Sequence, residues 1–240
     1  MTLDCSTVDT ARESLATILA LPPETLGEVL SIELDIETDA LGEELMKAAH
    51  AAGARTDAEF STVLHHATRS MQPELFETVG LMPFAQALDH MWKALGSLAT
   101  HGTFSSEELA NLRCRIQSEK TICPTYDAKL RQCGGPFGFL IREVACRAPA
   151  GCHDYLRVPE IVEDIASAAP PEWNLLDLFR ENSTPCIVSF KHRFGARHLG
   201  PALEYVWRSD RGHSIAGLTA IDDAKACVPP DKIICVDRLC

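Results

Sequence analysis

"FSTVLHHATRS", Phe60–Ser70, decides how the chain is read. It is rich in β-branched residues and carries no helical stripe, so it is predicted to be a strand. Successive strand side chains face opposite ways, so at most one of His65 and His66 points at any one site. "GLMPF" begins sixteen residues after Leu64. The intervening "PELFETVGLM" reads as a short helix ending at Gly80. The plainer reading of a histidine in such a strand is a hydrogen-bonded edge residue.

Upstream, residues 1–58 read as a helical segment. Thr10 and Glu13 have capping-box spacing, in which each side chain satisfies the other's backbone N–H. Leu15, Ile18 and Leu19 follow on one face until Pro22-Pro23 stops the helix. A second helix is expected after Pro23. A third is expected after "DIETDA", with Leu41, Leu45, Ala48, Ala49 and Ala52 on one stripe and Gly53 as its cap.

Downstream, Phe84, Leu88, Met91, Trp92, Leu95 and Leu98 mark an amphipathic helix opened by Pro83. Ser105 and Glu108 cap another, carrying Leu109, Leu112 and Ile116. "QCGGPFGFLIREVAC" reads as a glycine-rich turn entering a strand. Pro159 opens a helix that Pro170-Pro171 ends, and "NLLDLFREN" is a short helix. "CIVSF" reads as a buried strand and "GPALEYVW" as a helix with Pro201 in its first turn. "SIAGLTAI" and "KIICVDRL" are expected to be strands. Helices and strands mix without a βαβ rhythm, which gives an α+β class. The division expected is a helical segment over 1–58 and a mixed body over 59–240.

The chain has 240 residues, 46% of them apolar and 23% charged, an ordinary globular balance. Its net charge of −12 disfavours binding to bulk nucleic acid. The opening "MTLDCSTVDT" has no basic start and no apolar run, so a cytoplasmic protein with reduced thiols is expected. No apolar run approaches the roughly 20 residues of a membrane span.

The order of His66-x-Thr68 in a strand, then a helix leading to Gly80-Leu81, then an acidic loop before "VPPDKI" and a strand resembles the ADP-ribosyltransferase superfamily. That superfamily includes PARP-type enzymes, bacterial toxins and RNA 2′-phosphotransferases. The resemblance implies NAD as cofactor and transfer of ADP-ribose to a protein side chain or a small molecule. It implies that His66 bonds a ribose hydroxyl of NAD, with Thr68 beside it. The main chain at Ala67 would take the nicotinamide amide, and Tyr205 would stack on the ring. A carboxylate would fix a ribose hydroxyl and stabilise developing positive charge. The chain departs from the pattern in two places. His-Ala-Thr replaces His-Gly-Thr, and Lys225 or Ala226 stands where the glutamate is expected, so Asp222 or Asp223 is the candidate carboxylate. That departure keeps open a non-catalytic module of the same fold that binds a ligand or partner.

Three other features bear on function. "KHRFGARHLGP" is locally basic, and Arg193 and Arg197 precede a helix, an arrangement that suits a pyrophosphate or an acidic partner. The sequence His101-Gly102-Thr103 reads as an inter-helix turn. Cys123, Cys133, Cys146, Cys152 and His153 lack a C-x₂-C pair and have irregular gaps, so no metal is assigned. A cysteine-dependent enzyme using Cys152 or Cys186 with His192 or His198 stays as the rival chemistry.

Overall fold

A computed structural model describes residues 1–36, 40–56, 59–101, 104–119, 123–126, 128, 135–147, 153–193, 196–218 and 226–239, with backbone alone at 221–223. In chain order the elements are β1 (Thr2–Leu3), α1 (Val8–Leu19), α2 (Pro23–Leu30), α3 (Leu41–Ala51) and β2 (Ser61–Ser70). They continue with α4 (Leu75–Val79), α5 (Phe84–Ser97), α6 (Ser106–Ser118), β3 (Phe137–Phe139) and α7 (Arg142–Cys146). Then come α8 (Glu160–Ala168), α9 (Leu175–Glu181), β4 (Thr184–His192), α10 (Leu199–Asp210), β5 (Ile221–Asp223) and β6 (Ile233–Arg238). The class is α+β. The strand order is β5-β3-β2-β4-β6 with β1 beside β2. It is a mixed sheet, because β1 runs parallel to β2 and β3 antiparallel to it.

The chain forms two compact units. The first comprises Met1–His65, Gly138–Gly151 and Ser189–Asp222. Here α10 packs on α1 and α3. A Cβ on Gly42 would come within 2.9 Å of the Gly200 carbonyl carbon, so the α3 and α10 backbones touch where neither residue carries a side chain. Leu15, Leu19, Leu45, Leu203 and Val206 are buried in this unit. Each such aliphatic side chain contributes about 1.5–3 kcal/mol when removed from water. Gly138 of β3 is tightly enclosed too, since a Cβ there would lie 2.8 Å from the Leu64 Cβ.

The second unit comprises His66–Phe137, Cys152–Val188 and Asp223–Cys240. Its core joins α5, α6, α8 and α9 through Trp92, Leu95, Leu112, Val162, Ile165 and Phe179. Phe104 stacks on Trp173 with centroids 4.7 Å apart. The buried Trp92 N–H donates to the Tyr126 hydroxyl at 3.2 Å, which removes the cost of an unpaired polar group.

Several sequence expectations need correcting. Helix α1 starts earlier than the Thr10/Glu13 spacing implied. Thr7 is its N-cap, and Thr7 and Thr10 cap each other, because Val8 and Asp9 already take helical geometry. "SIAGLTAI" is not one strand. Residues 214–218 are loop and turn, closed by Leu218 N–H to the Ile215 carbonyl, and among the described residues strand pairing begins at Ile221–Asp223. The strand in "QCGGPFGFLIREVAC" is three residues long and gives way to α7. Gly53 lies one residue beyond the Ala52 cap, at φ 97°. Gly102 and Thr103 lie outside the described residues. Among the described residues no helix is long and apolar enough to cross a membrane.

Candidate functional site

Alternation along β2 sorts its side chains. His65 is fully buried, and its Nδ1 lies 2.9 Å from the Ser189 hydroxyl. His66, Thr68 and Ser70 are half-buried at positions two apart. Of the two histidines, His66 lines a cavity of about 570 Å³ in the second unit, together with Ala67, Thr68 and Arg69. That volume falls in the small-molecule range.

Residues of α4, α5, β3, α8 and α9 complete the wall. Leu75 and Phe76 of α4 line it, followed by Gly80, Leu81 and Met82. Gly80 caps α4 at φ 82° and ψ −163°, a conformation open to glycine alone. Beyond it, Leu81 and Val228 exchange backbone hydrogen bonds of 2.9 and 2.8 Å. Helix α5 contributes Phe84, Ala87, Met91 and Ala94, which fall on one face by helical spacing. Gly135–Phe137, Tyr155 and Pro159–Ile161 line the remainder with Phe179.

The polar groups of this wall are fixed by short contacts. His66 Nδ1 lies 2.8 Å from the Phe137 carbonyl oxygen, so it donates there and Nε2 keeps its lone pair. Burial pushes the His66 imidazole below its ordinary pKa, more than the carbonyl bond raises it. The His66 ring meets Phe137 edge-on at 5.7 Å, and Phe137 meets Tyr155 at 5.2 Å. The Tyr155 hydroxyl donates to Glu160 Oε1 at 3.2 Å. Glu160 is the first residue of α8, where the free N–H groups favour a carboxylate.

Arg69 is built into the frame. Its Nε donates to the Ser183 hydroxyl at 2.8 Å and its Nη2 to the Arg180 and Ser183 carbonyls at 2.6 and 2.9 Å. Its Nη1 donates to the Leu156 carbonyl at 3.2 Å. Burial, and then the nearby Arg180 charge, lower its pKa. Among the described residues no carboxylate pairs with Arg69 or with Lys93, the second cation of the wall.

No family model matches the chain, and no curated protein or solved structure matches it either.

The structure brings together His66, Ala67 and Thr68 and adds Gly80-Leu81 to them. It does not place Tyr205, Arg193 or Arg197 in the cavity lining. Tyr205 is buried on α10 in the first unit, and burial pushes its phenol up to about 12. It is not among the residues lining the cavity. Arg193 is exposed and ion-paired with Glu59, and Arg197 is exposed in the turn before α10. Neither lines the cavity. Asp222 and Asp223 have their backbone in β5, and their side chains lie outside the described residues. Cys133 and Cys152 also lie outside them. Cys186 is fully buried, and burial pushes its thiol up to about 12.

Sequence reasoning passed over Tyr155, Glu160, Lys93 and the fixed role of Arg69. Glu160 carried one usable signal, an acidic residue directly after the Pro159 that opens a helix. Tyr155 carried none.

Proposed function

We propose that the second unit binds NAD or a related nucleotide in the His66 cavity and transfers ADP-ribose to a protein side chain or small molecule. The reading rests on one observation. Two separate pieces of the sequence resemblance, His66-Ala67-Thr68 and Gly80-Leu81, line the same cavity. The pairing of Leu81 with Val228 of the "VPPDKI" loop supports it further. So do Arg69 and Lys93, cations that no described carboxylate neutralises and that favour a pyrophosphate.

Bound NAD supplies an N-glycosidic bond whose cleavage releases nicotinamide and leaves an electrophilic ribose carbon. The chain's own groups take the following roles. His66, neutral with Nδ1–H committed to Phe137, offers Nε2 as an acceptor for a ribose hydroxyl. Tyr155 presents an aromatic ring held edge-on by Phe137. Glu160, held by the Tyr155 hydroxyl, is the carboxylate that stabilises positive charge developing at the ribose. These two take the places assigned from sequence to Tyr205 and to Asp222 or Asp223.

A cytoplasmic setting goes with this reading. The test is incubation with NAD labelled on nicotinamide. Release of nicotinamide, lost in Glu160→Gln while NAD binding persists, supports the transferase. Binding without release leaves a non-catalytic module, and neither binding nor release removes the reading.

A further inference from the structure

Part of the cavity lining is strongly apolar. Met71, Met82 and Met91 line the cavity with Phe76, Phe84 and Phe179. Thioether and phenyl groups give a nucleotide's hydroxyls nothing to bond. They suit a hydrocarbon, and the methionines adapt to its shape. At the same wall Lys93 and His90 are exposed, while Met91 and Ala94 are half-buried. Lys93 therefore stands where the chamber opens to water.

The charge of the wall is opposite in sign to that of the chain. Among the described residues the lining holds the cations Arg69 and Lys93 against the single carboxylate Glu160, in a chain of net charge −12. The bonds of Arg69 to neutral hydroxyl and carbonyl oxygens orient its guanidinium without cancelling its charge. A cation-biased opening to an apolar chamber selects anions over cations.

We propose that this cavity is a binding site for an amphipathic carboxylate, with its hydrocarbon body against the methionine and phenylalanine residues of the lining and its head group at Lys93. This site shares Lys93 and the cavity with the nucleotide reading but does not depend on it.

The test is calorimetric titration of the full chain with octanoate, decanoate and decyltrimethylammonium, each with and without NAD. Decanoate is expected to saturate one site. Each buried methylene should strengthen binding about fourfold, so decanoate should exceed octanoate by about fifteenfold. Decyltrimethylammonium should bind at least about tenfold more weakly, given the sign of the field at the opening. Lys93→Glu, an exposed change, is expected to reduce that preference for the anion and to leave the circular dichroism intact. Met91→Gln should weaken both ligands.

Equal binding of the two decyl compounds overturns the proposal. So does full retention of decanoate affinity in Lys93→Glu, or a lack of chain-length dependence. Decanoate binding where NAD fails removes the nucleotide reading and leaves this one. NAD binding where decanoate fails does the reverse.

Discussion

His66 Nδ1 sits 2.8 Å from the carbonyl oxygen of Phe137, and that contact fixes which ring nitrogen carries the proton. Burial outweighs the bond and lowers the imidazole pKa in the folded chain. An unfolded histidine titrates near 6.5, so below about that pH the unfolded state takes up a proton that the folded state resists. Stability from this group is thus complete above pH about 6.5 and falls as the pH drops toward the folded value. His66→Asn, which keeps a donor near the Nδ1 position, should show a shallower loss of urea stability between pH 7 and 5 than the parent. An equal slope in both proteins would refute the assignment. Nitrogen NMR at pH 7.5 should independently report the Nδ1–H tautomer.

Gly80 and Gly27 should respond oppositely to alanine. Gly80 has φ 82°, and a Cβ there would lie 2.0 Å from the Val228 carbonyl oxygen. Gly80→Ala should therefore cost about 1–3 kcal/mol from backbone strain alone, with more from the displaced Leu81–Val228 pairing. Gly27 lies inside α2, and a Cβ added there would meet nothing within 4 Å. Gly27→Ala should be neutral or stabilise by up to about 1 kcal/mol. Urea midpoints of the two variants decide the matter.

The outcome along the chain shows what kind of information was local. Helices α5 and α6 were legible because Leu88, Trp92 and Leu95, or Leu109, Leu112 and Ile116, repeat at helical spacing and are buried as that spacing requires. Strand β2 was legible from its β-branched residues and the absence of a helical stripe. "SIAGLTAI" misled because an apolar run with β-branched residues fits a strand, yet residues 214–218 turn on the Leu218–Ile215 bond. The site was half legible. His66, Thr68 and Gly80 are close in sequence, so one strand and one short helix suffice to bring them together. Tyr155 and Glu160 reach the same wall only through packing of α8 in the second unit's core, where Ile161, Val162 and Ile165 are buried. Nothing in the local sequence encodes that approach.

Arg69 should prove a structural cation that lysine cannot replace. A guanidinium reaches four acceptors, on Ser183, Leu156 and Arg180, from a rigid fork. An ammonium is a single point of charge on a flexible stem. Arg69→Lys is expected to lose roughly 2–4 kcal/mol, since bonds to charged groups are worth about 1.5–3 kcal/mol each and some acceptors stay unpaired. Thermal unfolding checks this, and a change below about 0.5 kcal/mol would contradict the clamp role.

The thiols should separate by burial. Cys5 and Cys186 are buried with their pKa values raised, Cys186 to about 12, whereas Cys114 and Cys227 are exposed. Thiolate is the reacting form, so iodoacetamide at pH 8 should label Cys114 and Cys227 well before Cys186. Peptide mapping over time reads the order. Fast labelling of Cys186 with loss of activity would instead favour a cysteine-dependent enzyme.

NAD titration of the full chain with matched variants asks whether the His66 wall is a nucleotide site. Saturable one-to-one binding is expected, weakened at least about tenfold in the His66→Asn, Thr68→Val double variant, as loss of buried hydrogen bonds to a ligand requires. Arg193→Ala with Arg197→Ala, which alters residues away from the cavity lining, should leave that affinity unchanged. Absence of NAD binding at millimolar concentration, or binding that the His66 and Thr68 changes do not alter, would rule out a nucleotide site at His66.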